Sequence, residues 1–140
     1  MRGTGTITTM QLPEDYNRGS GQAEERMTAR YQCNSLNELA SELRRFADER
    51  QWESFHTPKN LAAALIVEAA ELLEHFQWLT PEQSQDLSPA TKQEVAHEIA
   101  DVLIYLTRLA DQLHIDMLAA ASEKMALNAQ KYPVVSPPAT

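Results

Sequence analysis

The chain has 140 residues, of which 43% are hydrophobic and only four are glycine, and this composition predicts one helical globular domain with a real core. A formal net charge of −8 argues against binding to a nucleic-acid backbone, and no run approaches the ~20 apolar residues of a membrane span. Cys33 is the only cysteine, so it forms no internal disulfide. We therefore expect a cytoplasmic protein without a membrane or nucleic-acid partner.

The N-terminal segment shows little hydrophobic periodicity. Residues 1–34 are rich in Gly, Thr, Ser and Gln, which predicts a flexible arm. Ser35 and Glu38 then have the spacing of a capping box. Apolar residues recur with a period of 3.6 from there to about Arg50, which predicts the first helix.

The second predicted helix is the most apolar part of the chain. Thr57–Pro58 is typical of an N-cap followed by the first helical position, and the helix is expected to reach about Trp78. Thr80–Pro81 could open a single further turn. Apolar side chains occupy nearly every side of this second helix: Leu61, Leu65, Ile66, Leu72, Leu73 and Phe76. Such a helix is central in a bundle or lies in a subunit interface, so we expect a homo-oligomer.

Two more helices complete the predicted bundle. Ser88–Pro89 begins the third, and Asp116 could cap a fourth that Pro133 ends. No segment alternates as a strand does. The fold class is therefore all-α, with a four-helix domain over residues 35–133 and a loose C-terminal tail over residues 134–140.

Two pairs of acidic residues lie inside the apolar helices. Glu68 and Glu71, like Glu98 and Asp101, are three positions apart, which puts each pair on one helical face. Four such carboxylates would repel each other by about 4 kcal/mol per pair at ~4 Å and an effective dielectric constant near 20. A divalent cation is the simplest source of neutralisation. Acidic pairs of this kind also occur as idle surface patterns.

Oxygen ligands from two helices suit Mg²⁺ or Mn²⁺. Such ions would leave coordination positions open to a polyphosphate, screen its charge and lower the pKa of a water that attacks phosphorus, while a nearby carboxylate takes the proton. Glu74 extends the first acidic face, either as a rim charge or as a supporting group. A di-iron bundle is the rival metal site, and it needs Glu-x-x-His on two helices. We identify one such motif, from Glu94 to His97, so this alternative is disfavoured.

Several linked motifs, in order along residues 36–135, resemble the MazG-like all-α NTP pyrophosphohydrolases, and within that family they look most like the dCTP pyrophosphatase branch. The motifs are Trp52–His56, Asn60–Leu61, the run from Glu68 through Glu71 to Trp78, Glu98–Tyr105, Lys124, Asn128 and Lys131–Pro133. The resemblance implies a homotetramer built as a dimer of dimers. It also implies Mg²⁺-dependent cleavage of a nucleoside triphosphate between the α- and β-phosphates.

The same resemblance implies roles for particular residues. The magnesium ligands, which are also the catalytic residues, would be Glu68, Glu71, Glu98 and Asp101. The substrate would be bound by Trp52, His56, Trp78, Tyr105, Lys124, Asn128 and Lys131. An indole can stack on a base while its N–H reaches a polar partner, and Tyr105 lies one turn from Asp101 on the same helical side. Lys59, Lys124 and Lys131 are candidate phosphate contacts, although an isolated lysine is usually only solvated.

One departure concerns base preference. The dCTP pyrophosphatase branch has a substrate-facing histidine on its first helix, and this chain has Leu43 at that position. The sequence therefore predicts a nucleotide pyrophosphohydrolase acting on dCTP or modified dCTP in nucleotide-pool housecleaning. The alternatives are the same chemistry on dUTP, dATP or a damaged purine nucleotide, and a non-catalytic helical interaction module.

Overall fold

A computed structural model provides the structure of the chain, which is described here for residues 26–134. The helices are α1 (Leu36–Glu49), α2 (Pro58–Glu74), α3 (Pro81–Gln85), α4 (Pro89–Gln112) and α5 (Met117–Lys131). Residues 26–30 are also helical. No strand occurs within residues 26–134, so the prediction of an all-α fold is confirmed for this part of the chain.

Each of the helices α1 to α5 begins where a side chain can cap it. In each case the N-cap oxygen accepts a hydrogen bond from a backbone N–H three residues later, which satisfies one of the donors that a helix start leaves free. The five N-cap residues are Ser35, Thr57, Thr80, Ser88 and Asp116. The starts predicted from the sequence are therefore confirmed, including that of the short helix α3.

The end of α2 differs from the prediction. The helix was expected to reach about Trp78, but it ends at Glu74. Residues 75–78 form turns, in which the backbone N–H groups of Phe76 and Leu79 bond at 2.9 Å to the carbonyl oxygens of the residues three positions earlier, Leu73 and Phe76. Trp78 consequently lies outside the helix.

Helix α4 is central among the described helices because α2 packs along it and α1 packs against it. Among the residues described, the buried apolar side chains are those of Ala47, Leu61, Val95 and Ala110. Helix α5 is different. Every residue from 118 to 131 is exposed, and α5 makes no extensive contact with the other described helices.

Two predicted segments lie largely outside the described residues. Only residues 26–34 of the predicted arm and Val134 of the predicted tail belong to the described part, so both assignments stay predictions. Among the helices of residues 26–134, none combines the length and the apolar character that crossing a membrane requires.

Candidate metal and nucleotide site

Three carboxylates converge where α2 packs along α4. Glu68 comes from α2, and Glu98 and Asp101 come from successive turns of α4. One oxygen from each residue lies within 4.8 Å of the other two, and all three side chains are half-buried. We call these three residues the carboxylate cluster. Its members are hard oxygen donors, which is the ligand chemistry that Mg²⁺ and Mn²⁺ prefer.

The electrostatics of the cluster favour a cation. Burial raises the pKa of Glu68, and the negative charges of Asp101, Glu71 and Glu98 raise it further. At 4.8 Å, two carboxylates repel each other by about 3 kcal/mol at an effective dielectric constant near 20. A bound divalent cation would convert this repulsion into attraction, whereas protonation of Glu68 would relieve only part of it.

Glu71 and Glu74 lie on the same helix but outside the carboxylate cluster. Both side chains are exposed, and neither belongs to the group whose oxygen atoms all lie within 4.8 Å of one another. The charge of Glu71 nevertheless acts on Glu68. The structure thus brings together three of the four predicted ligands, and the role of Glu71 stays a prediction.

Tyr105 flanks the cluster. Burial raises the pKa of its phenol, and the charges of Glu68 and Asp101 raise it further. Since the unperturbed pKa is already near 10, the hydroxyl remains protonated at neutral pH and is available as a hydrogen-bond donor. The expectation that Tyr105 shares a helical side with Asp101 agrees with this proximity.

A row of aromatic rings begins in the last turn of α1 and continues into the loop after it. The Phe46 and Trp52 rings meet edge to face with centroids 5.8 Å apart, and the centroid of His56 lies 5.7 Å from that of Trp52. The Arg50 guanidinium lies 3.4 Å from the centroid of the Phe46 ring. Trp52 remains 42% exposed, so its ring has free surface on which a ligand could stack. Gln51, which directly precedes Trp52, has a φ of 56°, and this left-handed residue helps the chain to turn sharply after α1.

Sequence reasoning missed a polar network behind this aromatic row. Arg108 of α4 is only 3% exposed, and its Nε donates to Nδ1 of His56 at 3.3 Å. Its Nη1 donates to Asp111 at 3.0 Å, and its Nη2 donates to Glu53. Further hydrogen bonds join Arg44 to Asp111 and Gln112 to Glu53. We call these six residues the Arg108 network. An arginine directly after a long, largely apolar stretch of α4 was the sequence signal for it.

The network also bears on the di-iron alternative. Glu53 and His56 form a second Glu-x-x-His spacing, in the loop between α1 and α2, so the prediction of a single such motif was wrong. Both side chains form hydrogen bonds with the Arg108 guanidinium there, so they bind a cationic side chain of the protein and not an iron ion. In the first motif, Glu94 and His97 are exposed, and a ring nitrogen of His97 lies 2.8 Å from Gln93. Neither motif joins the carboxylate cluster.

The other predicted substrate contacts are not brought to the cluster within this chain. Trp78 is 86% exposed in the turn after α2. Lys124, Asn128 and Lys131 are exposed on α5, and no contact among the described residues joins them to the carboxylates. Their assignment as substrate-binding residues stays a prediction.

Comparison with known proteins relates the chain to nucleotide enzymes. The model of the MazG-like family matches residues 64–137. The chain is 45% identical over 91 residues to dCTP pyrophosphatase 1 of Rattus norvegicus, covering 64% of this chain and 54% of the relative. For the Homo sapiens protein of that name, the identity is 44% over 90 residues, with coverage of 63% and 53%. The chain thus spans about half the length of the curated relatives it matches.

A solved structure matches more completely. The crystal structure of a pyrophosphatase from Archaeoglobus fulgidus has a TM-score of 0.68 and 44% sequence identity to this chain. The match covers 74% of this chain and 96% of the archaeal one. Likeness in sequence and likeness in fold therefore point to the same class of protein.

Proposed function

The chain belongs to the MazG-like family, and from this membership we propose that it is a divalent-metal-dependent nucleoside triphosphate pyrophosphohydrolase. It cleaves the substrate between the α- and β-phosphates, giving the monophosphate and pyrophosphate. The names of the relatives, dCTP pyrophosphatase 1, support dCTP or a modified dCTP as the substrate. Removal of such nucleotides from the pool is the corresponding role, and a cytoplasmic location is part of the same proposal.

The observation that carries this proposal is the convergence of Glu68, Glu98 and Asp101. Their oxygen atoms fit Mg²⁺ or Mn²⁺. Burial raises the pKa of Glu68, and the neighbouring carboxylate charges, which a cation would neutralise, raise it further. A divalent cation held there would screen the polyphosphate and make a water molecule more acidic. Glu71 lies one turn from Glu68, and we assign it as a fourth ligand that approaches once like-charge repulsion is removed.

The remaining residues bind and orient the nucleotide. Trp52 offers an exposed ring for stacking on the base, and His56 lies beside it. Tyr105 keeps its proton next to the carboxylates and packs against the sugar, where crowding would disfavour a 2′-hydroxyl. We also assign Trp78 to the nucleoside pocket. Lys124, Asn128 and Lys131 are assigned to the substrate, with the two lysines contacting its phosphates.

We further propose that the chain forms a homotetramer, a dimer of dimers. Large apolar side chains are exposed on three helices, including Ile66, Val67 and Leu73 on α2, Ile99, Leu103 and Leu106 on α4, and Leu118, Met125 and Leu127 on α5. A monomer rarely exposes so much apolar surface. Association would cover these side chains, and it would allow α5 to reach the carboxylate cluster of a neighbouring subunit.

The direct test is hydrolysis of a panel of canonical and modified triphosphates, with pyrophosphate and the nucleoside product both measured. We expect dCMP and pyrophosphate from dCTP, and loss of at least about 100-fold in kcat/KM for Glu98→Gln and Asp101→Asn. Glu94→Gln is the matched control, because this exposed carboxylate lies one turn from Glu98 but outside the cluster. Release of orthophosphate and a nucleoside diphosphate would refute cleavage between the α- and β-phosphates.

The panel also separates the alternatives. Faster turnover of dUTP or dATP than of dCTP would keep the chemistry and change the substrate. Absence of turnover on every triphosphate, with Mg²⁺ or Mn²⁺ saturating, would favour a non-catalytic helical module. Retention of full activity by Asp101→Asn would show that the carboxylate cluster is not the metal site.

A further inference from the structure

Among the described residues, Arg108 is the one charged residue that is buried. Burial of a guanidinium is costly unless its donors are satisfied by hydrogen-bonded partners. Here Nη1 and Nη2 bind the carboxylates of Asp111 and Glu53, while Nε donates to Nδ1 of His56 at 3.3 Å. The side chain thus ties α4 to the loop between α1 and α2.

The hydrogen bond from Arg108 to His56 determines where the histidine proton lies. Arginine has only donors and does not lose its proton in proteins, so Nδ1 of His56 must accept. A neutral imidazole with a free lone pair on Nδ1 carries its proton on Nε2. No hydrogen bond to Nε2 occurs within residues 26–134, so this N–H remains available to a ligand.

We propose that Arg108 is a positioning residue that holds His56 as the neutral Nε2–H tautomer, so that Nε2 donates a hydrogen bond to an acceptor atom of the bound nucleoside. This inference rests on the proposed function. It follows that His56 recognises a hydrogen-bond acceptor on the nucleoside, such as a ring carbonyl oxygen of a pyrimidine. Trp52, whose ring centroid lies 5.7 Å from that of His56, would stack on the same base.

The surrounding charges are consistent with a neutral ring. Burial lowers the pKa of His56, the Arg108 charge lowers it further, and the Glu53 charge opposes both. Asp111 and Arg44 complete the charged groups of the network: Asp111 accepts from Nη1 of Arg108, whereas His56 accepts from Nε, and Arg44 binds Asp111. Two cations and two carboxylates balance, so the network does not attract a proton to His56.

The tautomer can be measured without any activity. In ¹⁵N NMR spectra of histidine-labelled protein, Nδ1 of His56 should have the shift of an unprotonated ring nitrogen and Nε2 that of a protonated one. Arg108→Met should yield a mixture of tautomers. Arg44→Met is the matched control, because it removes a cation from the same network without touching His56. A proton on Nδ1 in the unaltered protein would overturn the proposal, even if the variants fail to fold.

Kinetics tests whether Arg108 acts through His56. Arg108→Met and His56→Ala should each raise KM for the nucleoside triphosphate by about five- to tenfold, the effect of losing one hydrogen bond, with kcat changed by less than about twofold. The double variant should be no worse than His56→Ala, and Arg44→Met should leave KM unchanged. Additive losses, or an equal rise in KM for Arg44→Met, would overturn the proposal.

Failure of the proposed function has a different signature. If the unaltered protein hydrolyses no triphosphate, pyrophosphohydrolysis is wrong. The tautomer and its dependence on Arg108 would still be tested by NMR. If hydrolysis is normal but the NMR spectrum shows Nδ1 protonated, the role of Arg108 is wrong and the proposed function stands.

Discussion

Asp101→Asn should stabilise the metal-free protein and lose this advantage when metal binds. Asp101 is close to both Glu68 and Glu98, and in the metal-free protein these three charges repel one another. Asparagine has nearly the same size and removes one charge. Without metal, the variant should therefore be more stable than the unaltered protein. Metal binding should then stabilise the variant much less than it stabilises the unaltered protein.

The distances give the size of the effect. A pair of charges at 4.8 Å interacts by about 3 kcal/mol at an effective dielectric constant near 20, and by about 1 kcal/mol in bulk water. The three side chains are half-buried, so a relief of about 1–2 kcal/mol is appropriate. For a chain of this size, 1 kcal/mol shifts Tm by about 4 °C. The metal-free Tm of Asp101→Asn should thus be about 4–8 °C higher.

Metal binding should remove the advantage of the variant. At a free Mg²⁺ concentration of about 100 times Kd, binding to the folded state contributes about 2.7 kcal/mol, or roughly 10 °C in Tm. Asp101→Asn should lose most of this increase because it lacks one of the oxygen anions. The unaltered chain should then melt at a temperature equal to or above that of the variant.

The assay is thermal unfolding followed by circular dichroism, in chelator and in a series of Mg²⁺ concentrations. Glu94→Gln serves as the control, because it removes one exposed carboxylate of α4 outside the cluster. Its metal-free Tm and its Mg²⁺-dependent increase should match those of the unaltered chain. A lower metal-free Tm for Asp101→Asn, together with an unchanged Mg²⁺-dependent increase, would refute the electrostatic reasoning.

Three further results are expected. Burial and neighbouring charges raise the pKa of Glu68, so protonation of this residue favours folding at acidic pH, and this stabilisation is lost as pH rises through the raised pKa. Glu68→Gln should therefore gain stability relative to the unaltered metal-free protein as pH increases. A pH-independent difference in Tm between the two would contradict this. Burial and the Arg108 charge lower the pKa of His56, while the Glu53 charge raises it. An NMR titration should therefore show a lower His56 pKa in Glu53→Gln and a higher one in Arg108→Met. Shifts of the same sign in both variants would contradict this reasoning. Met125→Glu on α5 should dissociate the oligomer in light-scattering measurements, whereas Gln130→Glu on the same exposed helix should not; an unchanged mass for Met125→Glu would exclude this part of α5 from the interface.

The amino-acid sequence determined the helix starts and the carboxylates, because both depend on residues three positions apart. A cap such as Ser35 bonds to a backbone N–H in the same turn, and the spacing of Glu98 and Asp101 puts them on one face of any helix that contains them. The end of α2 had no comparable local signal. No glycine marks it, and the turn at Leu73 was not anticipated.

Tertiary structure alone decided which distant residues meet. Glu68 joins Glu98 and Asp101 because α2 packs along α4, and the same packing leaves Glu71 exposed although it is only one turn away. Arg108 and His56 are 52 positions apart, and their hydrogen bond exists only because the loop after α1 folds onto α4. Periodicity identifies the face of a helix, but the line of contact between two helices depends on how all their side chains fit together. The acidic pairs could therefore be predicted from the sequence, whereas the Arg108 network could not.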